Sequence, residues 1–214
     1  MLDGVVEVVS FDKPGIHGFL HRPEKAEGRG LVLTHGAGGN CTAPLLMAAG
    51  NALAEAGLFV LRCDLPFRQR RATGPPLPST AATDRAGLKS AVMAIREVVS
   101  GAVFLGGQSY GGRQATMLAA AEPVLVARLL LFSYPLHPPG KPERQRTEHF
   151  PRLRVPALFV QGTADPFGGV DEIHAALALI PAATRLIAIE GAGHDLKRGR
   201  FDLGPVVAAL LAEA

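Results

Sequence analysis

Short apolar runs alternate with stretches of helical periodicity along almost the whole chain, and this restricts the possible folds more than any other feature. A strand buried on both faces reads as a continuous apolar run, and a strand followed by a helix returns to a parallel neighbour. Leu31–Thr34, Leu58–Arg62, Ala102–Leu105, Leu129–Phe132, Val155–Val160 and Thr184–Ile189 are such runs. Between them the pattern predicts helices at about 43–56, 83–99, 111–121, 143–150 and 171–180, with a last one at about 202–213. Gly57 follows the first of these as a C-terminal cap. Val5–Phe11 and Ile16–His21 flank the turn signal Asp12-Lys13-Pro14-Gly15 and predict an opening antiparallel hairpin. Residues 64–79 are polar and proline-rich and read as a loop. The expectation is an α/β chain with a mostly parallel central sheet, helices on both faces and right-handed crossovers.

Length and charge narrow the setting. The 214 residues suit one domain over 1–214, and no repeat or linker divides them. A formal charge of +3 is small and dispersed, which argues against nucleic acid. The exception is the cluster Arg68, Arg70 and Arg71, either a solvated loop or an anion-attracting rim. Cys41 and Cys63 make no disulfide framework and lack metal-type spacing. No apolar run approaches the roughly 20 residues of a membrane span. No leader pattern opens the sequence. A cytoplasmic location without membrane attachment is expected.

The strongest chemical signal is Gly106-Gly107-Gln108-Ser109-Tyr110-Gly111-Gly112, which holds G-x-S-x-G between a predicted strand and a predicted helix. A serine on such a sharp turn is strained and exposed, and the flanking glycines let neighbouring backbone pass. Ser109 is the candidate nucleophile. A serine hydroxyl needs a base. Of seven histidines, His17 and His21 belong to the hairpin and His174 to a helix. His194 lies in Gly191-Ala192-Gly193-His194-Asp195, after the last predicted strand. In parallel sheets that carboxyl edge is where chemistry gathers.

The imidazole in turn needs an orienting acid. Asp165 follows the strand Val155–Val160, and its rival Asp64 also follows a strand. The order serine, acid, histidine favours Asp165, because Asp64 precedes Ser109. Asp195 adjoins His194 too closely in sequence to face it. An oxyanion hole would take the backbone N–H of Tyr110 and one from the loop His35-Gly36-Ala37-Gly38-Gly39, Ala37 first and Gly36 second. His35 is expected to shape that loop. The glycine loop is no P-loop, since no Gly-Lys-Ser/Thr follows, and no dinucleotide fingerprint or zinc motif is present. No metal and no organic cofactor is expected.

Thr34-His35-Gly36-Ala37-Gly38-Gly39, Gly107-Gln108-Ser109-Tyr110-Gly111-Gly112-Arg113, Tyr134–Lys141 and Phe159–Phe167 occur in that order. Together they resemble the small α/β-hydrolases grouped with a testis-expressed hydrolase-like protein and a subunit of the NSL chromatin complex. Dienelactone hydrolases are more distantly similar. The resemblance runs from about residue 30 to the end. It implies the α/β-hydrolase fold and the same Ser109, Asp165 and His194. Dienelactone hydrolases typically use a cysteine where this chain has Ser109. Some relatives act as interaction modules.

In larger relatives a lid follows the strand ending near Phe132; here the connection is too short for one. An open, shallow cleft is expected, with His137, Lys141 and Arg68 as candidate substrate-binding residues. The reading is a serine hydrolase acting on a small or medium carboxylic ester or thioester through an acyl-enzyme. A peptidase is less favoured. The alternative is a non-catalytic hydrolase-fold module that binds a protein partner, although nothing in the sequence indicates one.

Overall fold

Alternation within each apolar run divides it between two cores. In the computed structural model, which describes residues 6–212, Leu31 and Leu33 join one cluster and Val32 the other. Leu129 and Leu131 likewise part from Leu130 and Phe132, because successive side chains of a strand point to opposite faces. The strands are β1 (Glu7–Lys13), β2 (Ile16–Arg22), β3 (Gly30–Thr34), β4 (Phe59–Cys63), β5 (Val103–Gln108), β6 (Arg128–Phe132), β7 (Ala157–Gly162) and β8 (Thr184–Ile189). They form one eight-stranded sheet in the order β1-β2-β4-β3-β5-β6-β7-β8. β2 pairs antiparallel with β1 and with β4. The pairs from β4 through β3 to β8 are parallel.

The helices are α1 (Pro44–Glu55), α2 (Pro66–Arg70), α3 (Ala81–Arg96), α4 (Tyr110–Ala121), α5 (Val170–Leu177) and α6 (Gly204–Leu211). α1 and α6 cover one face through Leu45, Leu46, Leu53, Val206 and Leu210. α3, α4 and α5 cover the other through Leu88, Val92, Leu118 and Ile173. α1 opens on Pro44, whose fixed φ suits the first helical position. It ends in a Schellman cap: Leu58 N–H donates to Leu53 and Gly57 N–H to Ala54, with Gly57 at φ +92.

After β3 the chain steps to β4 on one side, then crosses back to β5 on the other. This reversal opens a crevice at the carboxyl ends of β3 and β5, where open α/β sheets bind ligands. The loops after β3, β5, β7 and β8 all start from that edge.

Several boundaries differ from the sequence expectation. Val5 and Glu213 lie outside the described residues. Residues 143–150 form no α-helix; only a 3-10 turn at Phe150–Arg152 follows. Their backbone bonds go elsewhere: Arg146 N–H donates to Leu136, and Tyr134 Oη–H to the Arg146 carbonyl. Prolines at 138, 139 and 142 leave few free N–H donors upstream. Conversely, the predicted loop 64–79 holds α2. No folded cap is inserted between β6 and β7. Among the described residues no helix is long and apolar enough to cross a membrane.

Candidate active site

Ser109 stands between the last residue of β5 and the first of α4, at φ 50 and ψ −116. A side chain held at positive φ costs about 1–3 kcal/mol and persists only where its surroundings enforce it. Ser109 N–H donates to the Phe132 carbonyl of β6, and the Ser109 carbonyl accepts from Arg113 N–H, both at 2.9 Å. The two glycines of the motif allow close passage. A Cβ at Gly107 would stand 2.9 Å from the Thr34 carbonyl oxygen, and one at Gly111 2.5 Å from that of His35. The strain thus serves to hold the hydroxyl above the edge of the sheet.

His194 Nε2 lies 2.8 Å from Ser109 Oγ. Its Nδ1 lies 2.8 and 2.9 Å from the two carboxylate oxygens of Asp165. With Nδ1–H given to the carboxylate, Nε2 keeps a lone pair facing the serine. Asp165 is 5 % exposed. It also accepts from Phe167 N–H and from Gln161 Nε2–H, both at 2.9 Å, so the buried carboxylate is well solvated by fixed donors. The Phe167 ring stacks on the imidazole at 4.1 Å between centroids. Ser109, Asp165 and His194, far apart in sequence, therefore form one hydrogen-bonded line. Neither of the other acids joins it. Asp64 accepts from Cys41 N–H, and Asp195 from Lys197 N–H in its own turn.

The glycine loop after β3 passes directly over the serine: a Cβ on Gly36 would lie 3.4 Å from that of Ser109. The Gly36 carbonyl accepts from Gly39 N–H at 3.1 Å and from His35 Nδ1–H at 2.8 Å. Because a trans peptide sets C=O and N–H on opposite sides, those bonds aim Ala37 N–H the other way. That N–H has no partner among the described residues. Tyr110 opens α4, where N–H groups are unsatisfied by the helix itself. Both residues border the cavity beside Ser109. His35 Nε2 accepts from Leu65 N–H at 3.1 Å, which requires a neutral ring; burial pulls its pKa down.

The cavity at Ser109 has a volume of about 530 Å³, and Pro135, Arg146 and Phe167 raise a wall on the side of the β6–β7 connection. Of the candidate substrate-binding residues, none borders the cavity. His137 is buried against α5, with Nδ1–H donating to the Pro138 carbonyl and Nε2 near Glu172. Lys141 is exposed on a turn, its N–H given to Pro138. Arg68 is 6 % exposed, neither a solvated rim nor a wall of the cavity. Its guanidinium donates to the carbonyls of Ala37, Gly39, Arg71 and Gly74 at 2.8–3.1 Å. It braces the glycine loop from beneath. Sequence reasoning missed two residues that do border the cavity, Arg113 and Arg146. Arg113 was legible in principle, because position i+4 lies one helical turn from Ser109.

Away from this site, His17, Cys41 and Asp64 bring one ligand atom each within 4.8 Å of one another. They suit a metal poorly. Burial and Asp64 push the Cys41 thiol up to about 12, and the Arg62 guanidinium donates to the Cys41 carbonyl.

Solved structures of similar shape share little sequence. An α/β serine hydrolase homologue from Coxiella burnetii is 21 % identical, covers 96 % of this chain and 97 % of its own, and has a TM-score of 0.72. A dienelactone hydrolase from Anabaena variabilis is 24 % identical over 96 % and 94 %, with a TM-score of 0.69. A lidless α/β serine hydrolase from Xanthomonas campestris is 18 % identical over 98 % and 97 %, with a TM-score of 0.72. At these identities the likeness speaks for the α/β-hydrolase fold alone. A family model spans residues 27–204, a stretch that holds Ser109, Asp165 and His194, and by this match the chain belongs to the alpha/beta hydrolase domain family.

Proposed function

We propose that this protein is a serine hydrolase that cleaves small or medium carboxylic esters or thioesters. The observation that carries the reading is the continuous hydrogen-bonded line from Ser109 Oγ through His194 to the buried Asp165. His194 takes the proton of Ser109 as its oxygen attacks the carbonyl carbon, and Asp165 stabilises the resulting imidazolium. Ala37 and Tyr110 N–H groups hold the developing oxyanion. His194 then gives its proton to the departing alkoxide or thiolate. Water, deprotonated by the same ring, attacks the acyl-enzyme and releases the acid and Ser109. The chemistry calls for no cofactor. The motif set further supports kinship with the hydrolases grouped with the testis-expressed and NSL-complex proteins, and the free cysteines Cys41 and Cys63 support a cytoplasmic place of action.

The test is labelling with a fluorophosphonate, which captures activated serines, read by intact mass. One adduct is expected on the wild type, none on Ser109→Ala and slow labelling on His194→Ala. A folded wild type that takes no adduct would overturn the proposal and favour a non-catalytic module.

A further inference from the structure

The cavity wall carries a charge that the acyl-transfer chemistry does not use. Arg113, one turn after Ser109 on α4, and Arg146, from the β6–β7 connection, both border the cavity, and no carboxylate does. The Arg113 guanidinium has no hydrogen-bond or ion-pair partner among the described residues, and its Nε is buried. The Arg146 side chain makes a single bond, Nη1–H to the Pro135 carbonyl at 3.2 Å, and no ion pair. Its backbone is clamped, N–H to Leu136 and carbonyl from Tyr134 Oη–H, which fixes the point from which the side chain reaches the cavity.

Among the described residues no carboxylate pairs with either guanidinium, and the one that acts on Arg146 through space is Glu148. The Asp165 carboxylate is engaged behind His194, and Glu172 with His137 and Gly169 N–H. Glu148 is exposed and forms no ion pair among the described residues. Arg144 adds further positive charge next to Arg146. Burial, then the Arg113 charge, pulls the Arg146 pKa below the usual arginine range, as expected of two cations that share a pocket. An anion between the two cations would supply the opposite charge and the acceptor that the buried Arg113 donor lacks.

We propose that Arg113 and Arg146 form an anion subsite, and that the substrate is an ester or thioester whose acyl chain or leaving group carries a carboxylate or phosphate. This rests on the serine-hydrolase reading above. Planar guanidinium forks match either anion in two-point contact, so the shared chemistry is a compact oxyanion.

The test compares kcat/KM for two esters of similar length, mono-4-nitrophenyl adipate, which is anionic, and 4-nitrophenyl heptanoate, which is neutral. A preference of about tenfold or more for the anionic ester is expected, the usual effect of a charge-assisted hydrogen bond. The ratio should fall toward one in Arg113→Gln and Arg146→Gln and recover in part in Arg146→Lys. Because the readout is a ratio within each variant, partial loss of folded protein does not move it. Competition by free adipate against inorganic phosphate then tells which anion the subsite takes. No preference in the wild type, or a preference that both glutamine variants keep, would overturn the subsite and leave the hydrolase reading intact. Failure to turn over either ester, together with no fluorophosphonate adduct, would remove both.

Discussion

Acid should loosen this fold well before its carboxylates are protonated, and His149 is the residue to perturb. Its ring is 4 % exposed, packs edge-on against Phe150 and places Nε2 2.7 Å from Thr116 Oγ. Burial first, and the Arg113 charge second, pull its pKa from 6.5 down to about 4. His21 is shifted equally, by burial and by Arg62, whose Nε–H donates to its ring. In both cases the folded pKa lies below the unfolded one. Above about pH 6.5 neither state binds a proton and stability is unaffected; between about 6.5 and 4 only the unfolded chain does, so stability falls with pH. From about pH 7 to about pH 5 the shift corresponds to about 1–2 kcal/mol per ring once residual solvent screening is allowed for. His35 adds loss in the same direction. Urea unfolding of wild type and His149→Gln at the two pH values isolates the contribution, since glutamine can still donate to Thr116. The wild type should lose about 1–2 kcal/mol more than the variant on acidification. Equal pH dependence of the two proteins would refute the assignment of a buried neutral imidazole to His149.

Three other substitutions probe the site. Asp165→Asn should lower kcat/KM on 4-nitrophenyl heptanoate by about three to four orders of magnitude with an unchanged circular dichroism spectrum, because an amide lets the wrong imidazole nitrogen carry the proton; a loss under about tenfold would contradict the relay. Arg68→Met strips the carbonyls of Ala37 and Gly39 of their donor and should cost about 2–4 kcal/mol in urea unfolding. It should also lower kcat more than KM, and wild-type kinetics would show that the glycine loop needs no brace. Gly111→Val places a branched side chain where a single Cβ already meets the His35 carbonyl at 2.5 Å, so a loss of about 3 kcal/mol or more is expected; a midpoint equal to wild type would mean that the loop after β3 yields.

The sequence by itself carried the features whose causes are local. Strand and helix periods, the Schellman glycine at 57 and the strand–turn–helix setting of Ser109 depend on neighbours within a few residues, and they could be read from the chain. The order of Ser109, Asp165 and His194 was legible for a related reason: each follows an apolar run, and a parallel sheet gathers all such ends at one edge. Tertiary structure decided what depends on non-local partners. The place of β4 between β2 and β3 is a matter of pairing across the sheet. Residues 143–150 are not helical because Leu136 and Tyr134 claim the Arg146 backbone, a contact that no propensity records. Arg68, read as a surface or substrate-facing charge, turned inward because unpaired carbonyls of the loops on either side converge on it. Arg113 and Arg146 meet at one cavity only after β5, β6 and the connection beyond them have packed. The sequence sets which side chains exist and which element each rides on; which charges face one another is settled by burial and by the pairing of groups distant along the chain.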